Sequence, residues 1–427
     1  MEKSRHSSVK TTFTHNKPSE DKKEASLTPL YVRSIVNSLG TGMVGPFMSA
    51  YAVELGASSS DMGWFQSSAN LSNNVMQILW GRLSDRLKRR IPFIFFGSII
   101  VAGLWIPMLF VANATQLIVL LAFQALLGSM ATPAWTALLG DLVPSFKLGR
   151  TNAAIYLWAS VGSLIATLAS GIIMVSVGGT LQQIFFVPLI VAAACGFASS
   201  FFVLKFNEKK DNEKQNSKQG LVSDIFGILV QAKKTPNFVK YCYIVGIFEF
   251  FMSISWPLFS ITQIRILNAS MLQIALQSVV QSLVTITFQG WAGKLVDTVG
   301  RRRILVFFRF SLVTVPLAYA LSPDMNTLIV IGAFWGVSMA LGQASVTAYL
   351  LDVSAAEHRG SYVALFNLTV GLTSFFGSLI GGYLSDYMIS LFGLVAGLQI
   401  VYLVSTIGRG IGAFAHLSLE ETLKQSP

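Results

Sequence analysis

Three kinds of residue in this 427-residue chain could do chemistry. The first is Glu249, the one acidic side chain near the middle of a long apolar stretch. It lies thirteen residues past Pro236, about 19 Å along a helix at 1.5 Å per residue and so near the midplane of a membrane. An unpaired carboxylate there can exchange a proton when water or a solute arrives, and no Lys or Arg is expected at the same depth. A purely structural hydrogen bond is the alternative.

The second kind is a duplicated run of opposite charges. Gly81-Arg82-Leu83-Ser84-Asp85-Arg86-Leu87-Lys88-Arg89-Arg90 recurs as Gly293-Lys294-Leu295-Val296-Asp297-Thr298-Val299-Gly300-Arg301-Arg302, an offset of 212 residues, each copy in a short basic loop between apolar segments. Asp85 and Asp297 fall at a membrane edge, where a carboxylate stabilises a helix N-terminus by about 0.3–1 kcal/mol. Arg82, Lys88, Arg90 and Arg303 read as headgroup anchors. Further on, Asp141 precedes Arg150 and Asp352 precedes Arg359, so each half has an aspartate leaving one helix and an arginine entering the next.

The third kind is neutral and polar. Gln66, Asn70, Asn73, Asn74 and Gln77 fall mostly on one helical face, and Gln273, Gln277, Gln281, Thr285 and Gln289 recur every fourth residue. They read equally as cavity lining or as interhelical contacts of about 0.6 kcal/mol each.

Positioning these groups takes a membrane scaffold. Hydrophobic residues make up 53% and charged residues 12%, in runs long enough to cross about 30 Å of hydrocarbon. The fold class expected is all-α integral membrane, with twelve transmembrane helices near 30–54, 61–80, 91–112, 116–140, 151–176, 182–206, 238–262, 270–292, 303–321, 326–351, 361–386 and 393–417. They make two pseudo-symmetric six-helix bundles, 30–206 and 237–418. Residues 1–29 read as a disordered cytoplasmic tail without a secretory apolar core, 207–236 as a cytoplasmic linker with an amphipathic piece at Leu221 to Val230, and 419–427 as a second tail. Of 31 basic residues only Arg265 falls in an outer loop, so both termini are expected to be cytoplasmic. The net charge of +11 is then a topology signal that also favours anionic lipid, not a nucleic-acid surface. Cys195 and Cys242 give no disulfide framework or metal spacing, and no nucleotide loop, zinc motif or nucleophile elbow occurs. No enzyme and no cofactor is expected.

The duplicated run resembles the signature of the major facilitator superfamily, Gly-x-Leu-(Ser/Ala)-Asp-Arg-x-Gly-Arg-Arg, with Lys88 in place of the second glycine in one copy and Thr298 in place of the first arginine in the other. The resemblance implies a transporter that exposes a central cavity alternately to the two sides of a membrane. It implies a cytoplasmic gate of Gly81, Asp85, Arg86, Arg89 and Asp141 with Gly293, Asp297, Arg301, Asp352 and Arg359. In that gate Asp85 meets the helix start near Ser361, Arg89 reaches Asp141, Asp297 lies near Thr151 and Arg301 reaches Asp352. It places substrate contacts on helices one, four, seven and ten: Asn37, Gln124, Trp135, Glu249, Trp256, Trp335 and Gln343, with Gln77, Gln289, Tyr156 and Asn367 from their neighbours. Arg33, Arg309 and Arg409 read as structural side chains that reach the interface. His416 reads as satisfied or solvated at a helix end, and Asp61, Asp324 and Asp386 as markers of outer loops and helix ends.

The expected function is secondary active transport of a small, polar organic solute, neutral or zwitterionic, with protons as a candidate coupling ion through Glu249. The cell membrane is the expected location, with lipids as partners and the chain a monomer. Proton-driven drug export is the rival, although Gln124 stands where such exporters carry an arginine. A non-transporting receptor or scaffold on the same fold is the rival from another class.

Overall fold

In a computed structural model, residues 28–87, 89–206, 235–355 and 358–423 are described, and among them helices joined by short turns account for the architecture. The first half comprises α1 (Thr28–Val44), α2 (Met48–Glu54), α3 (Ser59–Leu71), α4 (Gln77–Leu87), α5 (Ile91–Leu104), α6 (Ala114–Gly128), α7 (Ala131–Leu142), α8 (Ser145–Val177) and α9 (Leu181–Val203). The second comprises α10 (Pro236–Ser255), α11 (Met271–Val299), α12 (Arg301–Leu321), α13 (Met325–Val353), α14 (Arg359–Phe392) and α15 (Leu394–His416). Nearly all of the expected tail 1–29, and the surface piece at 221–230, lie outside the described residues.

Ten helical stretches among the described residues are long and apolar enough to cross a membrane. The other two expected spans are the interrupted ones. A 3-10 turn, Gly45–Phe47, separates α1 from α2 at Pro46, which lacks the N–H to continue the ladder. A π turn, Ser72–Met76, separates α3 from α4 amid the Asn-rich stripe. After α10 the chain breaks again at Pro257 and passes through a second π turn, Thr262–Ile266.

Helices at the end opposite the duplicated runs start at side-chain caps. Ser58 with Asp61, Thr180 with Gln183 and Ser270 with Gln273 form reciprocal boxes that occupy otherwise unpaired N–H groups. Asp324 caps α13, and the amide and hydroxyl of Thr327 hold its carboxyl below the ordinary range. At the other end the helices overrun the expected boundaries. Gly81 to Leu87 are the last turns of α4 and Gly293 to Val299 those of α11, so most of the duplicated run is helix where the sequence reading placed loops. Its Arg, Lys and Leu are good helix formers, and the helices simply continue past the apolar zone.

The glycine-rich α14 packs between two helices of different halves. A Cβ on Gly63 of α3 would meet the Ser378 carbonyl at 2.9 Å, and one on Gly382 the Ser59 carbonyl at 2.6 Å, so only glycine permits this approach. A second contact between the halves brings Gly171 of α8 against Leu272 and Ala275 of α11.

Candidate functional site

Hydrogen bonds between the two halves gather at the capped end. The Asp386 carboxylate accepts from the amides of Ser59 and Ser60, both at 2.9 Å, and so caps α3 from across the seam. Trp64 Nε1 donates to the Tyr383 hydroxyl at 3.1 Å, Ser67 to the Phe375 carbonyl at 2.8 Å, and Asn70 to Ser378 Oγ at 3.2 Å. Arg265 donates to the Ala57 carbonyl at 2.7 Å. The sequence reading took Asp386 for a helix-end marker; its partner lies 326 to 327 residues away, and no local pattern announces that.

Behind this seam lies a cavity of about 480 Å³ bounded by both halves, with Pro46 and Gln66 on one side and Trp256, Gln277, Gln281 and Trp335 on the other. Its polar wall is ordered. Gln263 Nε2 donates to Gln277 Oε1 at 2.7 Å, and both amides donate to the Tyr319 hydroxyl at 3.0 Å. Tyr319 lies parallel to the Trp335 ring at 6.0 Å and to Phe259 at 4.2 Å. The cavity therefore presents amides fixed by one another beside flat aromatic faces, suited to a hydrogen-bonding solute with a planar part. Gln263 and Tyr319 were not singled out from the sequence; Gln263 falls one residue past the expected span 238–262, where nothing marks it as facing inward.

Glu249 is buried, but not alone. Arg309 Nη1 of α12 meets its Oε1 at 2.8 Å, with side-chain exposures of only 3% and 10%. The premise of an unpaired carboxylate is thus corrected, as is the reading of Arg309 as an interfacial side chain. Arg309 also lies over the Phe248 ring at 4.5 Å. Arg409, fully buried on the cavity wall, donates to the carbonyls of Leu312 and Met252 and to the hydroxyls of Ser255 and Ser405, at 2.6 to 3.1 Å. Its fork is held by four neutral acceptors and does not reach the interface. His416 is wholly buried, its Nδ1 2.7 Å from the Gly412 carbonyl.

A second cavity, about 390 Å³, lies within the first half among α1, α5, α7, α8 and α9. It gathers Asn37, Trp135 and Tyr156, three of the expected contacts, and adds Arg33. Arg33 is buried, with its guanidinium 4.0 Å from the centre of the Trp135 ring, and does not extend to the interface as expected. Gln124 is buried and donates to the Val101 carbonyl at 3.1 Å. Gln77 and Asn367 are half-buried, Gln289 and Gln343 are exposed, and none of these four lines either cavity.

The duplicated runs pair unequally. Arg301 forms a close ion pair with Asp352, as the resemblance implies, and its guanidinium lies 3.9 Å from the Asp297 carboxylate. In the other copy Asp141 meets Arg90, at 2.9 Å, where Arg89 was expected, and Arg89 is exposed. The two runs also differ in sequence and in where the next helix starts. Gly300 holds φ at +116°, a region that side chains rarely adopt, and α12 starts on the next residue; the equivalent position is Lys88, and α5 starts only at Ile91. Asp85, Arg86, Asp297 and Arg359 are exposed, and Asp297 meets Arg301 of its own run. Residues beyond α15 also take part. The Glu421 carboxylate accepts from the amides of Arg301 and Arg302, and Thr422 donates to Asp352 at 2.7 Å, contacts the sequence reading left in a tail.

The described residues form two helical halves that bound a cavity between them, and comparisons with known proteins give the family. A sequence model of the Major Facilitator Superfamily matches residues 30–261 and 241–414. An uncharacterized MFS-type transporter of Methanocaldococcus jannaschii is 22% identical over 386 residues, covering 87% of this chain and 92% of the relative. Multidrug resistance protein 2 of Bacillus subtilis is 25% identical over 376 residues, 85% and 89% of the two chains. Among solved structures, a mutant of the nucleoside transporter NupG superposes with a TM-score of 0.73 at 15% identity, covering 92% of this chain and 99% of that one. A D-xylose-proton symporter gives 0.67 at 14%, covering 94% and 99%. At such identity these two establish the fold alone. The chain belongs to the Major Facilitator Superfamily.

Proposed function

We propose that the chain is a secondary active transporter that carries a small, polar organic solute across the cell membrane by alternating access. In this reading twelve helices cross the membrane as two six-helix bundles, 30–206 and 237–418, with both termini and the duplicated runs in the cytoplasm. The observation that carries it is the 480 Å³ cavity bounded by both halves, with the inter-half hydrogen bonds gathered at its capped, outer end. A state closed outside leaves the cytoplasmic side as the route to the cavity. The opposite state requires the Asp386 cap and the Asn70 contact to part. Only a few kcal/mol need separate the two states for a solute to shift them.

Protons are the coupling ion in this reading, and Glu249 is where coupling would occur. Because Arg309 is its partner, proton uptake there means opening an ion pair, which links protonation to a movement of α12 against α10. The test is accumulation in proteoliposomes under an imposed pH gradient, using nucleosides, pentoses, aromatic carboxylates and cationic dyes as separate substrate panels. Parent protein should concentrate one panel with the gradient, and Glu249→Gln should keep counterflow of that solute while losing gradient-driven uptake. Gradient-driven uptake by Glu249→Gln would remove the coupling role, and no uptake or counterflow of any panel would remove transport. A second reading, drug export, draws on the name of the Bacillus subtilis relative; it predicts that cationic dyes alone are moved, and outward.

A further inference from the structure

Buried arginines normally find a carboxylate or a full set of acceptors, because an uncompensated guanidinium in a low-dielectric interior is costly. Arg309 has Glu249, and Arg409 has four oxygen acceptors. Arg33 has neither. It is 6% exposed, its single hydrogen bond among the described residues is a long one to Ser98 Oγ at 3.5 Å, and its Nε has no partner. The Trp135 face at 4.0 Å attracts the cation without meeting its N–H groups. This under-satisfied cation lies on the wall of the 390 Å³ cavity, and among the described residues it is the one charged side chain there.

We propose that the cavity of the first half is a binding site for an organic monoanion, a carboxylate whose planar or apolar part lies along Trp135 and Tyr156. The carboxylate would take the forked N–H groups that Arg33 leaves without acceptors, in the bidentate geometry that guanidinium favours. Asn37 and Asn152 on the same wall supply neutral amides for a further polar group. A carboxylate fits better than a phosphate monoester, because one guanidinium balances one negative charge and no second cation lines the wall. The site lies apart from the cavity between the halves. It rests on the transport reading only for the purpose of binding, since it would give the solute class a negative end.

Binding to the full-length protein, in nanodiscs of zwitterionic phosphatidylcholine, tests this without any transport step, so its failure and the failure of the transport reading are separable. The probes are benzoate and its uncharged isostere benzamide, read by thermal shift and tryptophan fluorescence. Benzoate should bind saturably and benzamide should not. Arg33→Gln should weaken benzoate by about tenfold or more, as expected for losing hydrogen bonds to a charged group, and Arg33→Lys should retain part of the affinity. Unliganded Arg33→Met should unfold at the parent's temperature or higher, because it removes an uncompensated buried charge; a structural arginine would give the opposite. Equal binding of benzoate and benzamide, undiminished benzoate binding by Arg33→Gln, or a clearly lower unfolding temperature for unliganded Arg33→Met would each overturn the proposal. Loss of benzoate binding when phosphatidylglycerol replaces phosphatidylcholine would assign the anion site to a lipid phosphodiester and overturn the solute assignment.

Discussion

The two halves share a duplicated run and a polar stripe, yet they treat buried charge differently. In the second half the arginines meet carboxylates or several oxygen acceptors, although the Nε of Arg301, Arg302 and Arg309 has no partner among the described residues: Arg309 with Glu249, Arg409 among four oxygens, Arg301 with Asp352 and the amides behind it capped by Glu421. In the first half Arg33 has one long hydrogen bond and a tryptophan face, and Asp85 and Arg89 are exposed. Duplication thus preserved the helical frame while the chemistry diverged. A half whose buried arginines have a carboxylate or several oxygen acceptors has its charge largely compensated from within. A half with an unsatisfied cation beside a cavity is fitted to receive something from outside.

The contrast can be broken most forcefully at Glu249. Glu249→Gln leaves Arg309 buried without its carboxylate and should destabilise the protein by about 3–5 kcal/mol, seen as a large fall in unfolding temperature. Adding Arg309→Met should restore most of it, whereas a fall no larger than that of an exposed pair would mean that the second half is not internally compensated. Next comes the seam that joins the halves. Asp386→Asn removes the charge from two hydrogen bonds to the start of α3 and should cost about 1–3 kcal/mol, with faster hydrogen exchange confined to residues 59–62. Unchanged exchange there would show that the cap does not hold the seam.

Smaller effects sharpen the comparison at the end that carries the duplicated runs. Arg301→Ala and Arg90→Ala each remove a partly exposed ion pair worth about 0.2–1 kcal/mol. The former should cost more, because Asp352 also holds Thr422; equal losses in thermal unfolding would erase the asymmetry. The smallest change is Lys88→Gly, which makes the first run match the second at Gly300. A double-mutant cycle on Arg89 and Asp141 in that background should gain a coupling of a few tenths of a kcal/mol, at the expense of Arg90. No gain would mean that the glycine does not set the register.

The helical frame was legible because its signals are local. Apolar runs and the Gly45-Pro46 and Trp256-Pro257 dipeptides each announce themselves within a few residues. The Arg301 to Asp352 pair was legible through a motif. What the sequence hid was pairing across helices. Arg309 lies eight residues into α12, about 12 Å, a depth from which a long side chain can reach water, and nothing in its neighbourhood tells that it points inward to Glu249. The same holds for Arg33 and Arg409. Asp386 was expected at a helix end, yet α14 runs on to Phe392, and that its carboxylate caps a helix of the other half depends on how α14 packs on α3, which small residues permit without specifying the partner.

The central claim, that the two halves open alternately at opposite ends, is tested most directly by paired spin-label distances on protein with Cys195 and Cys242 replaced by alanine. One pair, Glu54 and Tyr387, spans the capped end, the outer one in the proposed orientation; the other, Leu87 and His358, spans the end of the duplicated runs, the cytoplasmic one in that orientation, and all four sites are exposed. The account predicts that Asp386→Asn lengthens the outer distance and shortens the cytoplasmic one in the same fraction of molecules. An outer distance that broadens while the cytoplasmic distance stays fixed would contradict it.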